Sequence, residues 1–467
     1  MFRPVPFATT AEAFIRAPAT VLDSGTVPTT RFKKRSTPRS NLADTAASAN
    51  IVIHGESGRA ISMDPRAHLS RQLTLELTFA IIRSGEAMDI PQKLDLLGLG
   101  AQADLACGSC GEGQKRVRDD ISRWIYPAVR PDGKLIRMLK VLQTNACEKD
   151  CFYCATRRER EQPRTTFQPD ELAHLFDQIH RANLAEAIFI SSGVAGSSTR
   201  TMARMIATAD LLRGKYAFRG YLHLKLMPGA ESAAIERALQ LADRVSVNLE
   251  APSSEHLAKL SSTKRYAEEL LAPLQIAKRL IDHEPKLRRK TMTTQFVVGA
   301  ADETDREIAA RTAQLYRDLR LARVYYSAFQ PVENTPLDGH APTPLIRENR
   351  LYQADFLFRQ YGFTFDDLIF DARGNLPVES DPKTIWAINH PEFFPIELNR
   401  ANREDLLRVP GLGPISVRRI VQMRRTTKFR AIEQLARVGA DEKRAAPFIL
   451  LDGRVPTRQL PLLPSSR

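Results

Sequence analysis

The stretch Cys147-Glu-Lys-Asp-Cys151-Phe-Tyr-Cys154 decides how the chain is read, and it follows directly on a largely apolar run, Leu135 to Leu142. That run has the length and composition of a buried strand, so the cysteines stand on a strand-to-loop turn. Three thiolates spaced C-x3-C-x2-C can each reach a different corner of a cubane. Three irons of a four-iron, four-sulfur cluster then gain protein ligands and the fourth stays open. An open iron can bind something other than protein. The competing readings are a zinc site or buried structural cysteines. Zinc calls for a fourth Cys or His in a two-pair arrangement. Cys107 and Cys110 lie far upstream, and the next histidine, His174, falls in a helical stretch.

The spacing, with Tyr153 just before the third cysteine, resembles the signature of the radical S-adenosylmethionine (radical SAM) superfamily. The resemblance implies a 4Fe–4S cluster and S-adenosylmethionine as cofactors, the open iron chelating the amino and carboxylate groups of the latter. It implies that an electron from the cluster cleaves the sulfonium, and that the resulting 5'-deoxyadenosyl radical takes hydrogen from a substrate.

A chain of 467 residues with 43% hydrophobic and 26% charged residues has room for two or three domains of ordinary globular composition. Five cysteines, three of them in the motif, make no disulfide framework. They fit a reducing cytoplasm, where thiolates and clusters survive. No stretch approaches the roughly 18 to 20 apolar residues of a membrane span, so a soluble, cytoplasmic protein is expected. The net charge of +14 makes an acidic polymer a natural partner, since Lys and Arg neutralise phosphate.

Upstream, residues 1–87 read as a basic extension. Its first fifty residues hold seven Lys or Arg against three acids, among many Ser, Thr, Pro and Ala. Three readings stand: a disordered basic arm, an organelle transit peptide, or an over-extended reading frame before Met88. Within it, Ile51-Val-Ile and Leu73 to Ile82 suggest a strand and a short helix. Residues 88–134 form a helical lead-in ending near Cys107-Gly-Ser-Cys110. Those two thiols could anchor an auxiliary metal centre or act catalytically as a hydrogen donor to a substrate radical; the alternative is a Gly-rich turn with incidental cysteines.

Residues 135–344 alternate strands with helices, which predicts strand-helix units and a parallel sheet. Strands are expected near Leu135–Gln143, Ala187–Ser192, Gly220–Met227, Arg244–Leu249, Met292–Gly299 and Arg323–Phe329. Six units resemble the partial (β/α)6 barrel of radical SAM enzymes, an α/β fold whose reactive groups gather at the carboxyl ends of the strands. There, Ser191-Ser192-Gly193 loosely resembles the Gly-Gly-Glu segment that holds the cofactor's amino group through backbone. Alternation puts His223 and Lys225 on one face of the third strand, and Ser246, Asn248 and Glu250 on one face of the fourth. The resemblance assigns such polar groups to the ribose and methionyl parts of the cofactor. The loop Ser261-Ser-Thr-Lys264-Arg265 could add a cation, although surface solvation explains any one of these charges. Gln295-Phe-Val-Val298-Gly-Ala-Ala-Asp-Glu303 partly resembles the family segment that grips the adenine, with Gln295 standing where a glycine is usual. Beyond Phe329, a Pro-rich loop is placed to hold a substrate at the barrel mouth.

Residues 345–396 read as a helical linker region. Residues 397–453 then carry a second motif, in which Val409-Pro410-Gly411-Leu412-Gly413-Pro414 resembles the turn of a helix-hairpin-helix. Glycines permit positive backbone dihedrals there, and main-chain N–H groups at the next helix can face a phosphate. Ser416, Arg418 and Arg419 follow on that helix as further DNA-binding candidates. From Glu397 to Arg467 there are 15 Lys or Arg and 7 Asp or Glu, so this end is strongly basic. Thr427 to Phe448 reads as a degenerate second copy, and residues 454–467 as a tail. The alternative to a DNA-binding module is an all-α protein-interaction hairpin.

Together the two motifs resemble a bacterial group of radical SAM proteins associated with DNA modification or DNA repair and linked to a uracil-DNA glycosylase-like partner. The resemblance implies catalytic activity on nucleic acid, with electrons from a flavodoxin or ferredoxin. The other readings are an RNA-modifying enzyme and a non-catalytic, redox-sensing iron-sulfur DNA-binding protein.

Overall fold

The computed structural model describes residues 52–54, 60–62, 88–101, 121–129 and 135–456. Cys107, Cys110 and the Leu73 to Ile82 stretch lie outside them. The chain divides into two compact units between Pro65 and Arg66. In the first, Val52–His54 pairs antiparallel with Ala60–Ser62.

The second unit is built on a seven-stranded sheet whose spatial order is its chain order. The strands are β1 (Ile125–Val129), β2 (Leu135–Leu142), β3 (Ala187–Ser191), β4 (Tyr221–Lys225), β5 (Arg244–Ser246), β6 (Thr291–Val298) and β7 (Arg323–Ala328). Strands β2 to β7 run parallel, and β1 lies antiparallel against β2 with Tyr126 opposite Met138. The six expected strands are all present. The added edge strand corrects the expectation of six, because a five-residue run containing Pro127 carries little strand signal of its own. Sequential order, with a crossover between each parallel pair, curls the sheet into a half-barrel.

The crossovers show why the helices cover only one side. Helix α1 (Ile90–Gly100) packs on β2, and α2 (Pro169–Arg181) follows the cysteine loop. Helix α2 buries Leu172, Leu175, Phe176 and Ile179, a stripe at helical spacing, and begins with Pro169 and a backbone N–H of Gln168 donated to Glu171 at 2.8 Å. Helices α3 (Ser198–Arg213), α4 (Ser232–Leu241), α5 (Ala272–His283) and α6 (Asp305–Leu319) complete the layer. On β4, Leu222 and Leu224 point into this layer and are fully buried, which leaves His223 and Lys225 on the inner face.

Helices α7 (Leu345–Phe356) and α8 (Pro382–Asn389) lead to a smaller helical core formed by α9 (Arg403–Arg408), α10 (Pro414–Met423), α11 (Gln434–Arg437) and α12 (Glu442–Ala445). A two-residue parallel pair, β8 (Ile396–Glu397) with β9 (Ile449–Leu450), closes it. Among the described residues no helix is long and apolar enough to cross a membrane.

Candidate active site and hairpin module

The cysteine loop leaves β2 and is held by groups distant in sequence. Asp150, buried between Cys147 and Cys151, accepts the hydroxyls of Ser261 at 2.6 Å and Thr263 at 2.7 Å, the hydroxyl of Ser262, and the Ser262 N–H at 3.1 Å. Burial pushes the Asp150 carboxyl up, but these donors outweigh it and hold the group well below the usual carboxylate range. From the other side, the Arg164 guanidinium donates to the carbonyls of Thr156 at 2.7 Å, Arg157 at 2.6 Å and Arg160 at 2.9 Å, and to that of Asn145. The loop is thus clamped at both ends. Neither Asp150 nor Arg164 is among the site residues expected from the sequence, where an acid inside the cysteine motif is the one local signal.

The loop after β3 closes against it. Gly193 donates its N–H to Thr144 O at 2.8 Å, and a Cβ there would lie 2.3 Å from Ala146 O, so only glycine fits the approach. Val194 N–H points at Cys147 Sγ at 3.5 Å, and Thr156 Oγ1 lies 3.2 Å from Cys154 Sγ. Burial pushes the Cys151 and Cys154 thiols up.

All three cysteines line one cavity of about 570 Å³ at the carboxyl ends of the strands. Tyr153, Ser191, Ser192, Gly193, Lys225, Asn248 and Glu250 line it too. Two expected residues do not. Val298 faces the helix layer and its neighbour Val297 lines the cavity, a parity that a one-residue difference in register reverses. Ser246 lies below the cavity, its hydroxyl 2.9 Å from His223 Nε2, while that ring stacks on Phe189 at 4.2 Å. Burial, with Arg244, Lys225 and Lys140 nearby, pushes His223 down, so the imidazole is neutral at neutral pH. Strand β5 also ends sooner than expected, at Ser246, and Glu250 reaches the cavity from a separate parallel bridge to Phe296, where its φ is +64°.

Glu250 is the charged centre of the cavity wall. It accepts from Lys264 Nζ at 3.1 Å, both side chains being buried, and lies beside the Tyr153 hydroxyl. Burial disfavours the Lys264 charge, but Cys151 and Glu250 outweigh it and raise its pKa above the usual lysine range. Burial and Glu250 together keep Tyr153 protonated. The remaining wall includes Lys149, Gln295, Ser327, Phe329 and Gln330. Glu303 accepts the N–H groups of Gly299 and of Ala301 (3.0 Å), so it shapes the turn after β6 and takes no place in the wall.

Among the described residues no three His, Cys, Asp or Glu side chains close on a single metal ion. Three thiols around the end of a cavity suit a larger group, and thiolate donors on a braced loop are the ligand set of an iron-sulfur cluster.

In the second core, α9 and α10 flank the turn Val409 to Gly413, and α11 and α12 flank a second turn in which Gly439 has φ +77°. The two turns meet. Asp441 N–H donates to Gly411 O at 3.0 Å, and Gly411 has φ +79° with space for no Cβ, since one would lie 2.4 Å from Asp441 O. Leu412 O accepts from the buried Lys383 Nζ at 2.5 Å, and burial pushes that amine down to about 7. Gly413 N–H donates to Ser416 Oγ at 2.8 Å, whose hydroxyl returns to Gly413 O at 2.9 Å.

These contacts brace the turn from within the chain. Pro410, Leu412 and Ser416 are buried, and Arg419 donates to Val438 O at 3.2 Å. Arg418 is exposed. Arg408 ties the module to the larger core: its guanidinium lies 4.1 Å from the Phe363 ring, 4.6 Å from that of Trp386, and 2.6 Å from Asp367.

Residues 141–312 match the profile of the radical SAM superfamily, and residues 393–440 match a helix-hairpin-helix motif. Among solved structures the chain is similar to methylornithine synthase (PylB), with 12% identity, 47% of this chain and 61% of that one covered, and a TM-score of 0.39. It is also similar to the FeFe-hydrogenase maturase HydG from Carboxydothermus hydrogenoformans, with 13% identity, 47% and 50% coverage, and a TM-score of 0.37. A third is the radical S-adenosylmethionine methyltransferase TsrM from Kitasatospora setae, with 13% identity, 51% and 44% coverage, and a TM-score of 0.34. The chain thus spans less than two thirds of the length of these structures. No curated protein matches it.

Proposed function

We propose that this chain, which carries a radical SAM domain and a helix-hairpin-helix motif, is a radical SAM enzyme acting on nucleic acid, with DNA modification or repair as its role. The observation that carries the reading is the attachment of the basic hairpin module to the barrel body through Arg408, stacked on Phe363 and Trp386. A polymer bound by the module is then held in a constant relation to the cavity.

With a cluster and S-adenosylmethionine bound, the site would have radical hydrogen-abstraction chemistry available to it. Cys147, Cys151 and Cys154 would hold the cluster. The Ser191–Gly193 backbone, Asn248, Glu250 and Val297 are the groups offered to S-adenosylmethionine, and Lys264 pairs with the carboxylate of Glu250 in the same wall. Phe329 and Gln330, on the loop after β7, border the side left for a substrate. A base within a duplex has to be extruded to enter so recessed a site. A flavodoxin- or ferredoxin-type donor and a uracil-DNA glycosylase-like partner belong to the same reading.

The test is incubation of the reconstituted, reduced protein with S-adenosylmethionine, with and without DNA, followed by chromatography for 5'-deoxyadenosine and mass spectrometry of the digested nucleosides. The expected result is 5'-deoxyadenosine, increased by DNA, and a mass-shifted nucleoside. No 5'-deoxyadenosine under any condition refutes the enzyme, and stimulation by RNA alone refutes DNA as the polymer.

A further inference from the structure

Each sulfur of the cysteine loop meets a hydrogen-bond donor of a different kind. Val194 offers its N–H to Cys147 Sγ at 3.5 Å, and the Thr156 hydroxyl lies 3.2 Å from Cys154 Sγ. A thiolate bound to iron has no proton to give, so in that state the hydroxyl can only donate. The third donor is a cation. Lys264, its side chain buried, hydrogen-bonds Cys151 and opposes the upward push of burial on that thiol.

Lys264 reaches Cys151 because two loops run side by side. Phe152 N–H donates to Leu260 O at 2.8 Å, and Asp150 accepts the hydroxyls of Ser261 and Thr263, so residues 150–152 lie against residues 260–263. The next residue is Lys264. Its Nζ also donates to Glu250 Oε1 at 3.1 Å, so the ammonium is shared by a carboxylate and a sulfur. Lys149, within the cysteine loop itself, is held by Thr263 O at 3.1 Å and Glu269 at 3.0 Å.

Reduction adds one electron to a cluster, and part of the added negative charge spreads onto the ligating sulfurs. Donors and cations at those sulfurs therefore stabilise the reduced state. In a buried site a full charge outweighs a neutral hydroxyl. We infer that the Thr156 hydroxyl and the Lys264 ammonium raise the reduction potential of the cluster held by Cys147, Cys151 and Cys154, with Lys264 the larger influence and Glu250 opposing it. Both act through the cysteines, as positioning residues. The electron comes from a donor of the flavodoxin or ferredoxin type, and a higher potential eases its transfer. The inference rests on the three cysteines as cluster ligands and is independent of the polymer.

An EPR-monitored redox titration of the reconstituted full-length protein, without S-adenosylmethionine, measures the midpoint potential. Thr156→Val removes the hydroxyl and keeps the side-chain shape; the equilibrium constant for reduction should fall about threefold, the worth of a modest hydrogen bond. Glu250→Gln should raise the midpoint. Adding Lys264→Met to Glu250→Gln, which strands neither charge, should lower it again by about tenfold in that constant, or about 59 mV for one electron. Lys264→Arg keeps the charge and should stay near wild type. A double variant with the midpoint of Glu250→Gln overturns the role of Lys264, and a Thr156→Val midpoint equal to wild type overturns that of Thr156. Should the double variant lose its iron, Glu250→Gln decides alone, and no rise there overturns the role of Lys264. Wild type that takes up no iron overturns the cluster itself, whereas a loaded cluster indifferent to these substitutions overturns only the tuning.

Discussion

Asp150 and Ser261 hydrogen-bond at 2.6 Å across 111 positions of chain, and through that contact the loop after β5 holds the cysteine loop in place. The carboxylate is buried and met by three hydroxyls, so removing its charge leaves those donors short of an acceptor.

Asp150→Asn should therefore lower stability at pH 7 by about 3 kcal/mol. The sign of its pH dependence follows from a carboxyl held below its usual range. Its contribution is fully present above the ordinary carboxylate pKa of about 3.9 and is lost as the pH falls through the lower folded value. Urea unfolding from neutral to acid pH should show wild type converging on the variant only at strongly acid pH. Equal midpoints at pH 7 would remove the clamp.

Cys147→Ala, Cys151→Ala and Cys154→Ala should each strip iron from the reconstituted protein and abolish its cluster absorption. Gly193→Ala should lower iron content as well, although it changes no ligand, because the new Cβ would lie 2.3 Å from Ala146 O and force the cysteine loop to move. Iron content per chain decides both points; wild-type iron in any cysteine variant ends its assignment as a ligand.

The Lys264–Glu250 pair is buried on both sides, so losing one partner strands the other charge. Lys264→Met should cost about 3 to 5 kcal/mol, and adding Glu250→Gln should recover part of that loss. A double-mutant cycle of unfolding free energies measures the coupling, and strict additivity would show that the pair does not act as one.

Gly411→Ala should destabilise the second core, for two reasons. Its φ of +79° is unfavourable for alanine, and the methyl group would overlap Asp441 O. A lowered melting temperature is expected, by several degrees for a cost of about 1 kcal/mol or more in a domain of this size. An unchanged midpoint would mean that the two hairpin turns do not support each other.

Much of this arrangement could be read along the chain. The cysteine spacing, the apolar runs of β2 to β7 and the Pro410-Gly-Leu-Gly413 turn are local patterns, set by a few neighbouring residues and the periods of strand and helix. Element ends are not local patterns: β5 ends at Ser246 opposite Thr293 and the chain pairs again only at Glu250 opposite Phe296, four residues against three, so Ser246 and Glu250 do not share a strand face. Val297 and Val298 are both apolar, and only the register of β6 against its neighbours selects the one that meets the cavity.

By itself the sequence determined the kind of chemistry available and the class of fold, because thiol spacing and hydrophobic period are properties of adjacent residues. Tertiary structure decided which groups act together. The clamp of Asp150 by Ser261 to Thr263, the four carbonyls gathered by Arg164, and the division of the arginines into those spent on the fold and those left facing solvent all depend on segments far apart in the chain. Such pairings are selected by burial and hydrogen-bond satisfaction in three dimensions, which no local spacing encodes.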